Sequence, residues 1–186
     1  MTTMNWQLQQ AVRTVRHGGI IAYPTESVFG LGCDPLRLDA VVRLLELKQR
    51  PAAKGLILIA SDVEQLLPFL LPLDPSFRER VLASWPGPVT WLLPARPETP
   101  GLLRGRHETL AVRVTAHPAA AALCRACGHA LVSTSANVGG RPPARSALAV
   151  RRIFGEAIDY VLPGEAGGAP VTEIRDALSN RIVRGG

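Results

Sequence analysis

Apolar residues in this chain come in short blocks that alternate between the spacing of a strand and that of a helix. Asn5 is placed to cap a first helix carrying Trp6, Val12 and Val15, which Gly18-Gly19 ends. Ile20-Ile21-Ala22-Tyr23 is a continuous apolar run closed by Pro24, which predicts a buried strand leading into the loop Pro24-Thr25-Glu26-Ser27. Val41, Leu44, Leu45 and Lys48 share a helical face over about 39–48, and that helix stops before Pro51. A strand is predicted over 55–60, and Ser61-Asp62-Val63-Glu64 has capping-box spacing that predicts another helix directly after it. Asp74-Pro75 opens a further helix, Trp85-Pro86-Gly87-Pro88 turns into a strand over 89–93, and residues 110–114 alternate as a strand. Pro118 to Cys127 reads as a helix ended by Gly128. The strand Ala130-Leu131-Val132-Ser133 runs into the polar stretch Thr134-Ser135-Ala136-Asn137, and Ser146 caps the last clear helix. Strands over 158–162, 171–175 and 181–184 complete the set. Helices and strands mix without strict alternation, which predicts an α/β fold: a twisted sheet of parallel and antiparallel strands flanked by helices.

Composition narrows this picture. The 186 residues suit one well-filled core, and a single domain over 1–186 is expected. No apolar run approaches the roughly 18–20 residues that span a bilayer. The longest, Leu66 to Leu73, is broken by Pro68 and Pro72. With no signal-like N-terminus and an odd count of cysteines (Cys33, Cys124, Cys127), a cytoplasmic protein without membrane attachment is expected. Cys124-Arg125-Ala126-Cys127 lies in a helical stretch with no second pair, and reads as structural. The net charge of +6 favours polyanionic partners such as nucleotides, phosphate or RNA. Within that charge, arginine outnumbers lysine nineteen to two, and both lysines fall in Lys48-Gln49-Arg50-Pro51-Ala52-Ala53-Lys54. An ammonium suits point contact with a phosphate oxygen, so this heptapeptide is a candidate anion site.

Several catalytic signatures are missing. There is no P-loop, and Gly30-Leu31-Gly32 lacks the further glycine of a dinucleotide fingerprint. Ser135 lacks the glycines of a nucleophile elbow, and His17, His107, His117 and His129 show no metal-ligand spacing. Three polar segments at strand and helix ends remain: Thr25 to Ser27, Lys48 to Lys54, and Ser133 to Asn137. Each taken separately reads more simply as turn-forming hydrogen bonds than as a site.

Taken together, five ordered motifs resemble the YrdC family, closest to its short bacterial members. They are Tyr23-Pro24-Thr25-Glu26-Ser27-Val28-Phe29-Gly30-Leu31-Gly32, Lys48-x-Arg50-Pro51, Trp85-Pro86-Gly87-Pro88-Val89-Thr90, Ala111-Val112-Arg113-Val114 and Ser133-Thr134-Ser135-Ala136-Asn137. The resemblance runs from about Gly19 to Arg184. It implies a YrdC-like fold and a nucleotidyltransferase that converts L-threonine, bicarbonate or CO2 and ATP to L-threonylcarbamoyladenylate and diphosphate. Magnesium would accompany ATP, and no metal ligands from protein side chains are expected. Downstream proteins would pass the threonylcarbamoyl group to the tRNA adenosine beside the anticodon, and direct tRNA contact through the basic surface stays open. The resemblance places Lys48, Arg50, Ser135 and Asn137 at the nucleotide, with Lys54, Thr109, Pro143 and Arg184 also near ATP. Lys48 and Arg50 carry the catalytic expectation. Thr25, Ser27, Arg113, Ser133 and Thr172 match positions near threonine. The chain departs from longer members at Lys54 and Ile59, where those carry Asn and His.

The chemistry this implies is electrostatic. A threonine carbamate must attack the α-phosphorus of an anionic triphosphate, so cations that lower the repulsion and stabilise the departing diphosphate supply much of the rate. Arg50 can grip two oxygens, the lysines act as movable point charges, and Arg113 suits a carboxylate. Two alternatives remain: a basic module binding double-stranded RNA or tRNA without chemistry, and adenylation of a different carbamoyl group.

Overall fold

The computed structural model describes residues 5–170 and 172–184. Its first helix, α1 (Trp6–Arg16), begins at Asn5, whose side chain accepts from the Gln7 amide. Val12 and Val15 are buried as expected, but Trp6 is exposed: it stands at the first turn, ahead of the stripe that meets the sheet. The strand β1 (Ile21–Pro24) follows and pairs antiparallel with β2 (Phe29–Gly32). The sequence reading contains no counterpart for β2, because its Phe-Gly-Leu-Gly pattern offers side chains to one face only. Helix α2 (Leu38–Leu47) and strand β3 (Ile57–Ala60) appear where predicted.

The helix expected after Ser61 does not form. The Ser61 hydroxyl donates to Asp62 instead of capping, the Ser61 amide donates to the Gln65 side chain, and Asp62 accepts from the Gln65 amide. Pro68 follows within one turn, and only the 3-10 segment Leu67–Phe69 results. Helix α3 (Pro75–Ala83), strand β4 (Val89–Pro94), the short α4 (Gly101–Arg104) and strand β5 (Thr109–Val114) come next. Then follow helix α5 (Pro118–Cys127), strand β6 (Leu131–Ser135) and helix α6 (Ala147–Phe154). Strands β7 (Tyr160–Val161), β8 (Glu173–Asp176) and β9 (Ile182–Arg184) end the described chain. β6 extends two residues beyond the prediction, so Thr134 and Ser135 belong to the sheet and not to a loop.

The nine strands form one mixed sheet in the order β7-β1-β2-β6-β3-β5-β4-β8-β9. β6 is inserted between β2 and β3 and runs antiparallel to both, whereas β3 and β5 are parallel. Side-chain alternation sends Ala22, Phe29, Leu58, Val112, Val132 and Trp91 to one face, where α2, α3 and α6 cover them. Ile21, Tyr23, Ile59 and Leu131 point to the other face, against α1 and α5. Each fully buried Leu or Ile of these layers contributes about 1.5–3 kcal/mol by leaving water. The three thiols are part of this packing: burial pushes Cys33 up to about 12 and Cys127 to about 11, so neither is a thiolate at neutral pH.

Two glycines of β2 let the sheet close over Tyr23. A Cβ on Gly32 would lie 2.2 Å from the Val132 carbonyl oxygen and 3.0 Å from the Tyr23 ring. Neither neighbour can retreat, since Tyr23 is fully buried and Val132 lies in mid-strand. Gly32→Ala is therefore expected to cost about 3 kcal/mol through forced strand displacement. Urea unfolding measures it, and a midpoint equal to that of the parent chain would refute the close approach.

Candidate active site

α1 and α5 cover only part of their face of the sheet, and beyond them the same alternation places polar side chains. Ile57 pairs with Ser133 on one side and Ala111 on the other, while Ile59 pairs with Leu131 and Arg113. Ser133 and Arg113 therefore continue the rows that begin with core residues. Ser135 stands opposite Gly30, where the missing side chain leaves space. A cavity of about 300 Å3 opens over these rows. Thr25, Ser27, Arg113, Ser133 and Thr172, the positions matched to threonine, all line it. So do Arg50, Ser135 and Pro143 from the nucleotide set. A second cavity of about 210 Å3 adjoins it, with Arg50, Leu56 and Ile57 lining both. Lys54 and Thr109 line this second cavity, together with Arg104 and an apolar floor that includes Leu92 and Ile174. No aspartate or glutamate lines either cavity among the described residues. The side chain of Arg184, also expected near ATP, lies outside the described residues.

The local structure around Lys48 explains how it is aimed. α2 ends with Gln49 in the left-handed region (φ 50°), its amide donating to the Glu46 carbonyl and that of Arg50 to Leu45. This double bond pattern reverses the chain and separates the directions of Lys48 and Arg50. The Lys48 ammonium is buried and does not reach into solvent as a movable charge. It donates to the Ser135 carbonyl, to the Asn137 carbonyl at 2.8 Å and to Asn137 Oδ1 at 3.2 Å. Ser135 Oγ donates to the same Asn137 Oδ1 at 2.6 Å, and Asn137 Nδ2 donates to the Arg141 carbonyl at 2.7 Å. Lys48, Ser135 and Asn137 thus form one closed network that sets the turn after β6. The sequence expectation of two mobile lysines holds only for the exposed Lys54.

Burial, and after it the Arg50 charge, bring the Lys48 ammonium from its ordinary 10.5 down to about 8, against three oxygens that favour the charged form. Turnover that depends on this charged tether should fall as pH rises through about 8. Stability should move the opposite way: between about 8 and 10.5 the unfolded chain holds the extra proton, so this group's contribution to stability rises with pH there. A kcat/KM profile level from pH 7 to 9.5 would rule out the first effect, and denaturant midpoints across the same range test the second.

Arg50 is held differently. Its Nε and Nη2 donate to the Gly55 carbonyl at 3.1 and 2.9 Å, which turns the remaining end of the fork toward the place where the two cavities meet. Gly55 itself adopts φ +62°, and a Cβ there would meet the Arg104 carbonyl oxygen at 2.9 Å, so glycine is needed to present that carbonyl.

Arg113 is buried and ion-paired with Glu26, Nη2 to Oε2 at 3.4 Å. Burial raises the Glu26 carboxyl, but the Arg113 charge and hydrogen bonds from Thr115 and Ala116 outweigh it and hold the group below its usual range. Glu26 carried no role in the sequence reading although it sits inside the first motif. The signal for it was an acid flanked by two hydroxyl residues, at the end of a buried strand. Ile59, the second departure from longer members, is fully buried against α5 and lines neither cavity. Among the described residues there is no cluster of three or more His, Cys, Asp or Glu that could hold a metal.

The fold and site define a class, an α/β enzyme domain whose sheet presents hydroxyls and cations to a concave, acid-free site. The family model Sua5_yciO_yrdC, described as "Telomere recombination", matches residues 13–186, and the chain belongs to this family. It is 60% identical over 185 residues to the threonylcarbamoyl-AMP synthase of Nitrosococcus oceani, covering 99% of this chain and 100% of that one. It is 54% identical to the threonylcarbamoyl-AMP synthase of Halorhodospira halophila, covering 98% and 96%. Among solved structures it superposes on P. abyssi Sua5 complexed with L-threonine with a TM-score of 0.85 at 32% identity. That match covers 92% of this chain but 51% of the longer one.

Proposed function

We propose that this chain is a threonylcarbamoyl-AMP synthase: it condenses L-threonine, bicarbonate or CO2 and ATP into L-threonylcarbamoyladenylate and diphosphate. The observation that carries the reading is the pair of adjoining cavities with Arg50 at their junction, cationic at the rim and, among the described residues, free of acids. Anionic reactants in adjacent sites are what the reaction requires. The names of relatives at 54–60% identity agree with it.

In this mechanism the cavity lined by Arg113, Thr25 and Ser133 takes threonine, with the guanidinium on its carboxylate. The uncharged threonine amine forms a bond to the carbon of bicarbonate or CO2, giving a carbamate; from bicarbonate water leaves, and from CO2 the nitrogen gives up a proton to solvent. A carbamate oxygen then attacks the α-phosphorus, the bond to the β-phosphate oxygen breaks, and diphosphate departs with the electron pair. Arg50 stands between the two reactants, where it neutralises repulsion in the approach and charge in the leaving group. Ser135 and the Asn137 turn fix orientation without adding charge. Holding both reactants in adjoining sites supplies the proximity that a weak nucleophile needs. Magnesium would enter as the ATP complex, coordinated by phosphate oxygens and water. Transfer of the threonylcarbamoyl group to the tRNA adenosine beside the anticodon would fall to downstream proteins, in the cytoplasm; no described helix is long and apolar enough to cross a membrane.

The test is diphosphate release from ATP with L-threonine, bicarbonate and magnesium each omitted in turn. Release should require all three. Release that persists without threonine, or salt-sensitive tRNA binding with no turnover, would overturn the reading.

A further inference from the structure

Glu26 occupies a position that its neighbours over-determine. Its Oε1 accepts from the Thr115 hydroxyl at 2.6 Å and from the Ala116 amide at 3.1 Å. Its main-chain carbonyl accepts from the Ala169 amide at 3.0 Å, on the glycine-rich segment that leads toward Thr172. A carboxylate fixed through one oxygen presents the other in a set direction, and Oε2 faces Arg113. The contact is an ion pair without a completed hydrogen bond: Glu26 Oε2 and Arg113 Nε are both buried and find no hydrogen-bond partner among the described residues. Buried donors of a guanidinium are costly to leave unmade. The side chain is therefore held by charge while part of its hydrogen-bonding capacity is kept in reserve, in a group that lines the cavity.

We infer that Glu26 is a positioning residue, which orients the Arg113 guanidinium so that its unspent donors meet the carboxylate of the amino-acid substrate. The inference rests on the proposed function, in which Arg113 receives threonine. Glu26 does not line the cavity, so it acts through Arg113 and not on the substrate. Without it the same cation would remain in the site, but its planar donors would no longer be aimed, and two-point recognition of a carboxylate depends on that aim. The loss should appear in the amino-acid site and spare the nucleotide site.

Glu26→Gln keeps the shape and the acceptor toward Thr115 while removing the charge that holds Arg113. It is expected to raise KM for L-threonine at least about tenfold, with kcat within about threefold and KM for ATP within about twofold of the parent. Thr115→Val, which removes the hydroxyl bound to Oε1, should shift the threonine KM in the same direction by less. Introduced into an Arg113→Lys background, Glu26→Gln should add less than about twofold, because the planar fork it orients is already gone. An unchanged threonine KM in Glu26→Gln, parallel rises in the threonine and ATP values, or full additivity with Arg113→Lys would each overturn the inference. Calorimetric titration of the parent chain with L-threonine separates the two levels. Binding by the parent that Glu26→Gln retains in full refutes the positioning role alone, whereas no binding by the parent overturns the proposed function and this inference with it.

Discussion

Lys48→Ala should lower threonine-dependent diphosphate release by at least about a hundredfold and also destabilise the fold by about 2 kcal/mol or more. The two effects have one cause. The Lys48 ammonium donates to the Ser135 carbonyl and both oxygens of Asn137 in a buried position, so its removal takes the charged donor from all three, leaves the Asn137 carbonyl to find another partner, and loosens the turn that follows β6. Lys48→Met separates stem from charge: it restores much of the apolar packing, should recover part of the stability, and should recover little activity. Lys48→Arg is not a rescue, because a planar fork cannot converge on three oxygens arranged around one point. Asn137→Ala should damage turnover comparably, and the double variant should be far less than additive, as expected for members of one network. Turnover within about threefold of the parent in either Lys48→Ala or Lys48→Met would remove Lys48 from the mechanism.

Arg50→Lys is the second large effect, and its character differs. Arg50 spends Nε and Nη2 on Gly55 while facing both cavities, so a single side chain does two tasks. A lysine can do one of them. Turnover should fall about 10- to 100-fold and KM for ATP should rise at least about tenfold. The melting temperature should stay close to that of the parent, because Arg50 is only half-buried and the Gly55 carbonyl can turn to water. Kinetics alongside thermal melts check this, and ATP and threonine parameters within about threefold of the parent would contradict it.

Much of the fold was legible because local rules and global packing agree. Apolar runs at 20–23 and 57–60 became strands, and Asn5, Asp74 and Ser146 cap helices as their residue types predict. The site was legible in part for the same reason: the alternation Leu131, Ser133, Ser135 and the pair Ala111, Arg113 state which residues share a face. What stayed hidden depends on distant partners. Nothing near Lys48 in the chain indicates that its ammonium would be consumed by carbonyls at 135 and 137. Glu26 acquires meaning only once β5 brings Arg113, Thr115 and Ala116 beside it. The helix expected at Ser61 failed because Asp62 and Gln65 rearranged the cap and Pro68 arrived too soon. β2 has no counterpart in the sequence reading because its two glycines interrupt the apolar run, and those glycines are what allow the strand to lie over Tyr23.

The insertion of β6 between β2 and β3 also has a kinetic meaning. β2 and β3 are near neighbours in the chain, yet neither can pair with the other, and each waits for a partner synthesised much later. A ribosome-bound chain that ends before residue 131 has a local β1-β2 hairpin with an unpaired edge and no centre to its sheet. Closure of long chain loops then comes before any of the central pairings can reward it, which places this fold among the slower ones for its size. The last strand to enter the middle is also the one that carries Ser133 and Ser135. Binding competence and the joining of the two halves of the sheet should therefore arise late and together, and chains that end before β6 should neither hold nucleotide nor resist proteolysis.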